Sequence, residues 1–133
     1  MSQENVEIVR RCYELVAERD FSLIPELANP DFVFDLSRNI FNPAIYHGQA
    51  GFRQFIEQVD EMWGDFHIEA EELIDGGDQV FAAVRIEGTG RASGVETEMR
   101  TFSVWKLRDG KVQSVTGGYR DRAEALEAAG LSE

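Results

Sequence analysis

The segment "ETEMRTFSVWKLRDGKVQSVTGGY", from Glu96 to Tyr119, contains two runs rich in Val, Thr and aromatic residues. Such side chains fit the half-buried surface of a sheet, so both runs are predicted as strands. Asp109 and Gly110 lie between the runs, and both residue types tolerate the positive backbone angles of a tight antiparallel connection. The segment is therefore predicted as a β-hairpin.

Two similar runs precede this hairpin. They are "DFHIEAEELI" at residues 65–74 and "QVFAAVRIEG" at residues 79–88, separated from each other by "DGGD" and from the hairpin by a Gly-rich loop. Turn-forming residues at these positions indicate further hairpins. The second half of the chain is therefore predicted as four consecutive antiparallel strands.

Helical patterns dominate the first half of the chain. Residues 3–19 and 49–63 place apolar side chains three and four positions apart, which is typical of amphipathic helices. A short helix is predicted at about residues 22–28, with Ser22 as its cap and Asn29 and Pro30 ending it before the strand "DFVFDLS" at residues 31–37. Residues 38–48 are predicted as a loop.

A last helix is predicted in the tail "DRAEALEAAGL". Asp121 and Glu124 have the spacing of a capping box, and Gly130 is placed to end the helix. Helices segregated from an antiparallel sheet define an α+β domain. Long twisted strands tend to curl, and helices that rest on the curled face need not fill it, so the hollow is the expected ligand site.

Composition limits the classes of function. The 133 residues have the length of one domain, residues 1–133, and 43% of them are hydrophobic, which suffices for a packed core. A formal net charge of -12, from 13 basic and 25 acidic residues, would repel a polyanion, so neither nucleic acid nor an anionic membrane is an expected partner. No run resembles a membrane span or a signal peptide, so a cytoplasmic protein is expected.

Six segments in this order and spacing resemble the SnoaL-like proteins of the nuclear transport factor 2 superfamily. They are "DFVFDLS", "YHGQAGFRQF", "EELIDGGDQV", "SGVETEM", "LRDGKV" and "YRDRAEALEAAGL". The resemblance covers nearly the whole chain. It implies a conical α+β fold in which a curved, mostly antiparallel sheet and N-terminal helices enclose an apolar pocket, and it implies a homodimer through the sheet. Relatives include ketosteroid isomerase and polyketide cyclases, so the fold does not specify one activity.

Ketosteroid isomerase combines a base carboxylate with a Tyr and a protonated Asp. The resemblance places the base at Asp35 or its neighbour Leu36, and the Tyr near Cys12 or Tyr13. The acidic partner falls near Phe102 or Ser103, where the chain has no carboxylate. Since two of the three roles are vacant or shifted, the resemblance does not imply ordinary ketosteroid isomerase activity.

Asp35 has two open interpretations. Side chains alternate along a strand, so Phe32, Phe34 and Leu36 share one face while Asp35 lies on the other. If the aromatic residues line the interior, Asp35 is a surface or capping carboxylate. If the end of the strand bends, burial would raise the pKa of Asp35 and make it a general base.

The other candidate site residues are aromatic side chains and a histidine. His47 is a candidate proton carrier at the pocket edge or an ordinary loop residue, and Tyr119 at the end of the last strand is a candidate for the pocket rim or plain core. With Asp35, these form the candidate catalytic set. The candidate ligand-binding set, whose members are equally compatible with core packing, is Tyr13, Phe34, Phe55, Trp63, Met99 and Trp105.

The remaining polar residues suggest no cofactor. Arg85, Arg100, Glu87, Glu96 and Glu98 alternate along two neighbouring strands, which predicts a polar face with cross-strand ion pairs. His67 is expected on that charged face. Two isolated histidines and one distant cysteine do not form a zinc pattern, so no metal is expected. The loop "GTGRASG" joins two strands and lacks the helix that phosphate loops need, so no nucleotide site is expected.

Three functions remain open at this point. The first is a cofactor-independent isomerase or cyclase that uses general acid-base catalysis on an apolar carbonyl compound. The second is a protein that binds a small apolar molecule without chemistry. The third is a dimerisation module whose hollow is incidental.

Overall fold

The computed structural model describes residues 2–38 and 43–131. Its elements in chain order are α1 (Ser2–Glu18), α2 (Ile24–Leu27), β1 (Ala28–Asp35), β2 (Ile45–His47), α3 (Gly48–Met62), β3 (His67–Asp75), β4 (Gln79–Thr89), β5 (Glu96–Arg108), β6 (Lys111–Tyr119) and α4 (Arg122–Ala128). The six strands form one sheet in the order β2-β1-β6-β5-β4-β3. Only the pairing of β1 with β6 is parallel. This is the expected α+β fold with a mostly antiparallel sheet.

The predicted series of hairpins is confirmed. Strands β3 to β6 pair consecutively and antiparallel, and Asp109 and Gly110 turn between β5 and β6 with φ of 55° and 77°. The long helices α1 and α3 also lie within one residue of their predicted bounds. The periodicity of apolar residues predicted these strands and helices correctly, because each is long and has one clearly apolar face.

Three predicted boundaries in the first half of the chain were wrong. The segment predicted as a loop contains the edge strand β2, while its residues 39–42 lie outside the described residues. Helix α2 has four residues, and Ser22 does not cap it, because the Ser22 hydroxyl donates to Asp20 Oδ1 at 2.7 Å. Strand β1 begins at Ala28 and includes Pro30, which the irregular register with β6 between Ala28 and Val33 accommodates.

The inner face of the sheet meets helix α1. Val6 and Val9 on the first half of α1 are buried against inner-face side chains of four strands. The buried cluster consists of Val6, Val9, Ala28, Phe32, Val80, Ala82, Val84, Trp105, Leu107, Val112 and Val115. This cluster is the larger of the two cores and closes one end of the sheet.

The outer face of the sheet is partly covered by α4. Ala125 and Leu126 pack there against Phe81 and Val104. Asp121 caps α4 as predicted, because its carboxylate accepts a hydrogen bond from Ala123 N at 2.9 Å. Glu124, the expected partner of Asp121 in a capping box, pairs with Arg38 at 2.6 Å between Oε1 and Nη1.

Charged residues occupy the rest of the outer face. Arg85 pairs with Glu87 and lies 3.3 Å from Glu69, and Arg100 lies 3.0 Å from Glu71. The predicted polar face with cross-strand ion pairs is therefore confirmed among the described residues. His67 is exposed on the same side, 3.1 Å from Asp65.

A β-bulge near the end of β6 reverses the side-chain alternation. Phe102 pairs with Tyr119, whereas Val104 pairs with Thr116, so β6 holds one residue more than β5 over this stretch. Gly118 has φ of 86°, a conformation that costs a residue with a Cβ atom about 1–2 kcal/mol. The bulge therefore places Tyr119 on the outer face with Phe102.

Replacement of Gly118 by alanine tests the bulge. We expect Gly118→Ala to lower the free energy of unfolding by about 1–2 kcal/mol, because alanine is strained at positive φ. The matched control is Gly64→Ala, since Gly64 lacks positive φ and an added Cβ would lie 3.6 Å from Thr89 O. Urea unfolding followed by circular dichroism measures both variants, and equal losses would contradict the bulge geometry.

Candidate functional site

A cavity of about 800 Å³ lies between the inner face of the sheet and helices α1 and α3. Helix α1 touches the sheet tightly at Val6 and Val9, and the cavity begins one turn later, at Cys12 and Tyr13. A hollow of this size can hold a small organic molecule, since ligand pockets measure about 300–1,000 Å³. The helical cover therefore leaves the curved sheet partly unfilled.

Aromatic rings from both helices and from the sheet contribute to the cavity wall. Phe34 on β1 packs edge-to-face against Phe55 on α3, with ring centroids 4.8 Å apart. Trp63 at the end of α3 lies against Gly88, where an added Cβ would be only 2.9 Å from the indole. The aromatic lining residues are Tyr13, Phe32, Phe34, Tyr46, Phe52, Phe55, Trp63, Phe66 and Trp105.

All six members of the predicted ligand-binding set line this cavity. Tyr13 comes from α1, Phe34 from β1 and Phe55 from α3, while Met99 and Trp105 come from β5 and Trp63 follows α3. Each residue lies on the side of its element that faces the cavity, and the fold brings those sides together.

A pair of hydroxyl groups breaks the apolar wall at Tyr13 and Ser103. Trp105 Nε1 donates a hydrogen bond to the Tyr13 hydroxyl at 3.0 Å, and the two rings pack edge-to-face at 5.2 Å. Burial raises the pKa of Tyr13 to about 12, which outweighs the hydrogen bonds with Trp105 and Ser103 that lower it. Tyr13 is therefore a neutral phenol at physiological pH and can donate its proton to a ligand oxygen.

Two further polar side chains in the wall are already constrained. The Tyr46 hydroxyl donates to Gln58 Oε1. Burial raises the pKa of the Cys12 thiol to about 12, so the reactive thiolate is scarce near neutral pH. Cys12 thus serves as an apolar part of the wall.

Asp35 does not line the cavity. Phe32, Phe34 and Leu36 line it, so the alternation along β1 continues to the end of the strand. The Asp35 carboxylate points the other way and accepts hydrogen bonds from Ser37 N at 2.9 Å and from Ser37 Oγ at 2.6 Å. Of the two open interpretations, the geometry favours the capping carboxylate.

His47 and Tyr119 do not line the cavity either. His47 is exposed at the start of α3 and makes no side-chain capping bond. Tyr119 is buried on the outer face, where the Arg38 guanidinium lies 4.2 Å above its ring. The structure therefore does not bring Asp35, His47 and Tyr119 together at the pocket, because strand alternation, exposure and the bulge direct them elsewhere.

The charged side chains of the cavity wall are all basic among the described residues. Arg38, Arg100 and Arg120 contribute atoms to the wall, although the Arg100 guanidinium is directed to the outer face of the sheet, and no described Asp, Glu or His lines the cavity. Arg38 and Arg100 form ion pairs with Glu124 and Glu71. A chain with a net charge of -12 thus has no described carboxylate in the wall of this cavity.

Comparison with known proteins places this fold in a family. Residues 9–115 match the model of the SnoaL-like domain. The chain belongs to the SnoaL-like family. A comparison with curated proteins finds no match.

Solved structures share the fold of this SnoaL-like chain. An NTF2-like protein of unknown function from Burkholderia pseudomallei K96243 is 20% identical, with a TM-score of 0.76 over 93% of this chain and 95% of that one. A protein with a ketosteroid isomerase-like fold from Catenulispora acidiphila DSM 44928, in complex with trimethylamine, is 16% identical, with a TM-score of 0.73 over 94% and 93%. A polyketide cyclase-like protein from Xanthomonas campestris pv. campestris is 18% identical, with a TM-score of 0.72 over 96% and 98%. At these identities the likeness shows the fold alone.

Some features of the SnoaL-like chain were not expected to form the site. Ser103 had been considered only as the place of a missing carboxylate, although it shares a face of β5 with Met99 and Trp105. Nothing in the sequence indicated Arg120 as a site residue, because simple alternation of side chains along β6 does not take the bulge into account.

Within residues 2–38 and 43–131, no three His, Cys, Asp or Glu side chains are grouped to hold a metal ion. Across the same residues, no helix has the length and apolar character needed to cross a membrane.

Alkaline unfolding tests the burial of Tyr13 in this SnoaL-like domain. Native Tyr13 keeps its proton up to a pKa of about 12, whereas the unfolded chain loses it near the ordinary value of 10.0. The unfolded state therefore binds fewer protons between these pH values, and stability falls as pH rises through them. The Tyr13→Phe variant has no titrating hydroxyl at this position. Its free energy of unfolding should therefore fall less over this pH range than that of the wild type, by up to about 3 kcal/mol.

Urea unfolding of both proteins at several pH values measures the difference. Cys12 is common to both proteins, so its own titration cancels in the comparison. Equal slopes of unfolding free energy against pH would show that Tyr13 titrates alike in the folded and unfolded states, which would contradict its burial.

Proposed function

We propose that this SnoaL-like chain binds one small apolar molecule in the cavity between its sheet and helices. The observation that carries the proposal is a ligand-sized hollow with an aromatic wall and one pair of hydroxyl groups inside it. Apolar surface supplies the driving force for binding, and a few polar groups orient the ligand. A relative in complex with trimethylamine supports small-molecule binding as a use of the fold.

The Tyr13 and Ser103 hydroxyls define how the ligand would be oriented. Trp105 Nε1 already occupies one acceptor position of the Tyr13 oxygen. With Trp105 and Ser103 as donors to its oxygen, the Tyr13 hydroxyl can direct its proton to a carbonyl or hydroxyl oxygen of the ligand. Inside an apolar wall such a bond carries specificity, because a ligand without that oxygen cannot form it.

The same hydroxyl pair supports isomerase or cyclase chemistry as a second candidate. A phenol that donates to a carbonyl oxygen stabilises the negative charge that develops when a neighbouring carbon loses a proton. The described wall offers no carboxylate or imidazole to accept that proton. Binding and orientation therefore have more support than proton transfer, and Asp35 is not proposed as the base.

A homodimer through the sheet remains part of the proposal. The outer face of β3, β4 and β5 next to α4 carries the ion pairs of Arg85 and Arg100 and offers an area for a second copy. The mass in solution, compared with 15.0 kDa for one chain, tests whether the protein is a homodimer.

We also propose that the protein works in the cytoplasm.

A probe that fills the cavity tests the binding proposal. N-Phenyl-1-naphthylamine is uncharged and fluoresces in apolar surroundings. We expect saturable binding to the wild type and a loss of about tenfold or more in affinity for Met99→Trp, because the larger side chain occupies the hollow. Glu96→Trp is the control, since it adds the same ring at an exposed position of the same strand. Equal binding by both variants would place the probe outside the cavity.

A further inference from the structure

Arg120 lies where the cavity opens to solvent. Its side chain both lines the cavity and is exposed, which locates it at the mouth. It follows Tyr119, whose pairing with Phe102 places Arg120 beside Thr101 of β5. Thr101 also lines the cavity, and its hydroxyl donates to the Tyr119 carbonyl at 3.0 Å. The end of β6 is thereby fixed against β5 immediately before Arg120.

Arg120 differs from the other two arginines of the wall. The Arg38 guanidinium pairs with Glu124 at 2.6 Å, and Arg100 pairs with Glu71 at 3.0 Å and with Glu98 at 3.4 Å. Arg120 makes no ion pair with any described residue. The residues between 38 and 43, Asn39–Asn42, carry no charge in the sequence. Among residues 2–38 and 43–131, Arg120 is therefore the one arginine of the cavity wall that has no carboxylate in ion-pair contact.

The negative net charge of the whole protein makes a cation at the cavity mouth selective for anionic groups. A net charge of -12 repels anions from most of the surface. The described cavity wall, in contrast, has basic side chains and no acidic ones. The Arg120 guanidinium would attract an anionic group of a ligand to the mouth, whereas the rest of the surface would repel it. A cationic group would be repelled by Arg120.

We propose that the ligand is an apolar molecule with a single anionic group, such as a carboxylate, whose apolar body enters the cavity while the anion pairs with Arg120 at the mouth. This inference rests on the proposed binding function and specifies the class of ligand. Guanidinium groups bind planar oxyanions through two parallel hydrogen bonds, which adds direction to the attraction. Arg120 thus selects the acid over its uncharged analogue.

Two fluorophores that differ by one charged group test the proposal. 8-Anilino-1-naphthalenesulfonate is N-phenyl-1-naphthylamine with an added sulfonate. For Arg120→Gln we expect the dissociation constant of the sulfonate to rise about fivefold at low salt, while that of the uncharged probe stays unchanged. Arg120→Lys keeps the charge and should retain most of the affinity.

Arg53→Gln is the matched control. Arg53 on α3 is exposed and does not line the cavity, so its replacement changes the net charge equally but should change sulfonate affinity by less than about twofold. The effect of Arg120 should shrink between about 0.01 M and 1 M salt, as the Debye length falls from about 30 Å to 3 Å.

The outcomes separate this inference from the binding function. If the uncharged probe binds but Arg120→Gln leaves sulfonate affinity unchanged, or weakens both probes by the same factor, the anionic ligand class is wrong and the binding function stands. If the wild type binds neither probe, the binding function and this inference both fail. Thermal unfolding of Arg120→Gln close to that of the wild type confirms that the comparison concerns folded protein.

Discussion

The contact between Trp105 and Tyr13 connects the helical cover to the sheet, and the position of the cavity follows from it. The indole lies near the closed end of the inner face, where it both packs against the Tyr13 ring and donates to its hydroxyl at 3.0 Å. On one side of this contact, Val6 and Val9 complete a packed core. On the other side, from Cys12 and Tyr13 onward, a space of about 800 Å³ opens between the helices and the inner face of the sheet.

This contact also gives the cavity its chemical character. The aromatic walls supply apolar surface, and the only hydroxyl pair with a raised tyrosine pKa lies at the Trp105 end among the described residues. Arg120 lies where the cavity meets solvent, beside Thr101 and two residues along β5 from Ser103. A ligand that contacts both groups would have a hydrogen-bond acceptor next to the hydroxyl pair, an anion at the mouth and an apolar body in the rest of the cavity.

The sequence predicted most of the fold because its long elements have one clearly apolar face. The inward positions of Phe34, Met99 and Trp105 follow from alternation alone, and these residues do line the cavity. Alternation also indicated that Asp35 points away from the aromatic side of β1. The capping bonds to Ser37 agree with that interpretation.

Asp35, His47 and Tyr119 do not meet at the cavity, and part of the reason is local geometry that a single sequence does not display. Gly117 and Gly118 were treated as ordinary strand residues, but the bulge they form turns Tyr119 outward and brings Arg120 to the cavity mouth. The short strand β2 has three residues, too few for a periodic signal. Ion pairing is a tertiary property as well: alternation along the strands predicted ion pairs for Arg100, but nothing in the sequence distinguished Arg120 from Arg38.

Energy transfer from tryptophan tests the central claim most directly. Trp63 and Trp105 are the two tryptophans of the chain, and both line the cavity. A bound N-phenyl-1-naphthylamine molecule would therefore lie close to both, and excitation of tryptophan should produce probe emission that saturates at one molecule per chain. Emission that fails to saturate, or tryptophan fluorescence that does not change, would contradict an open apolar hollow at this place in the fold.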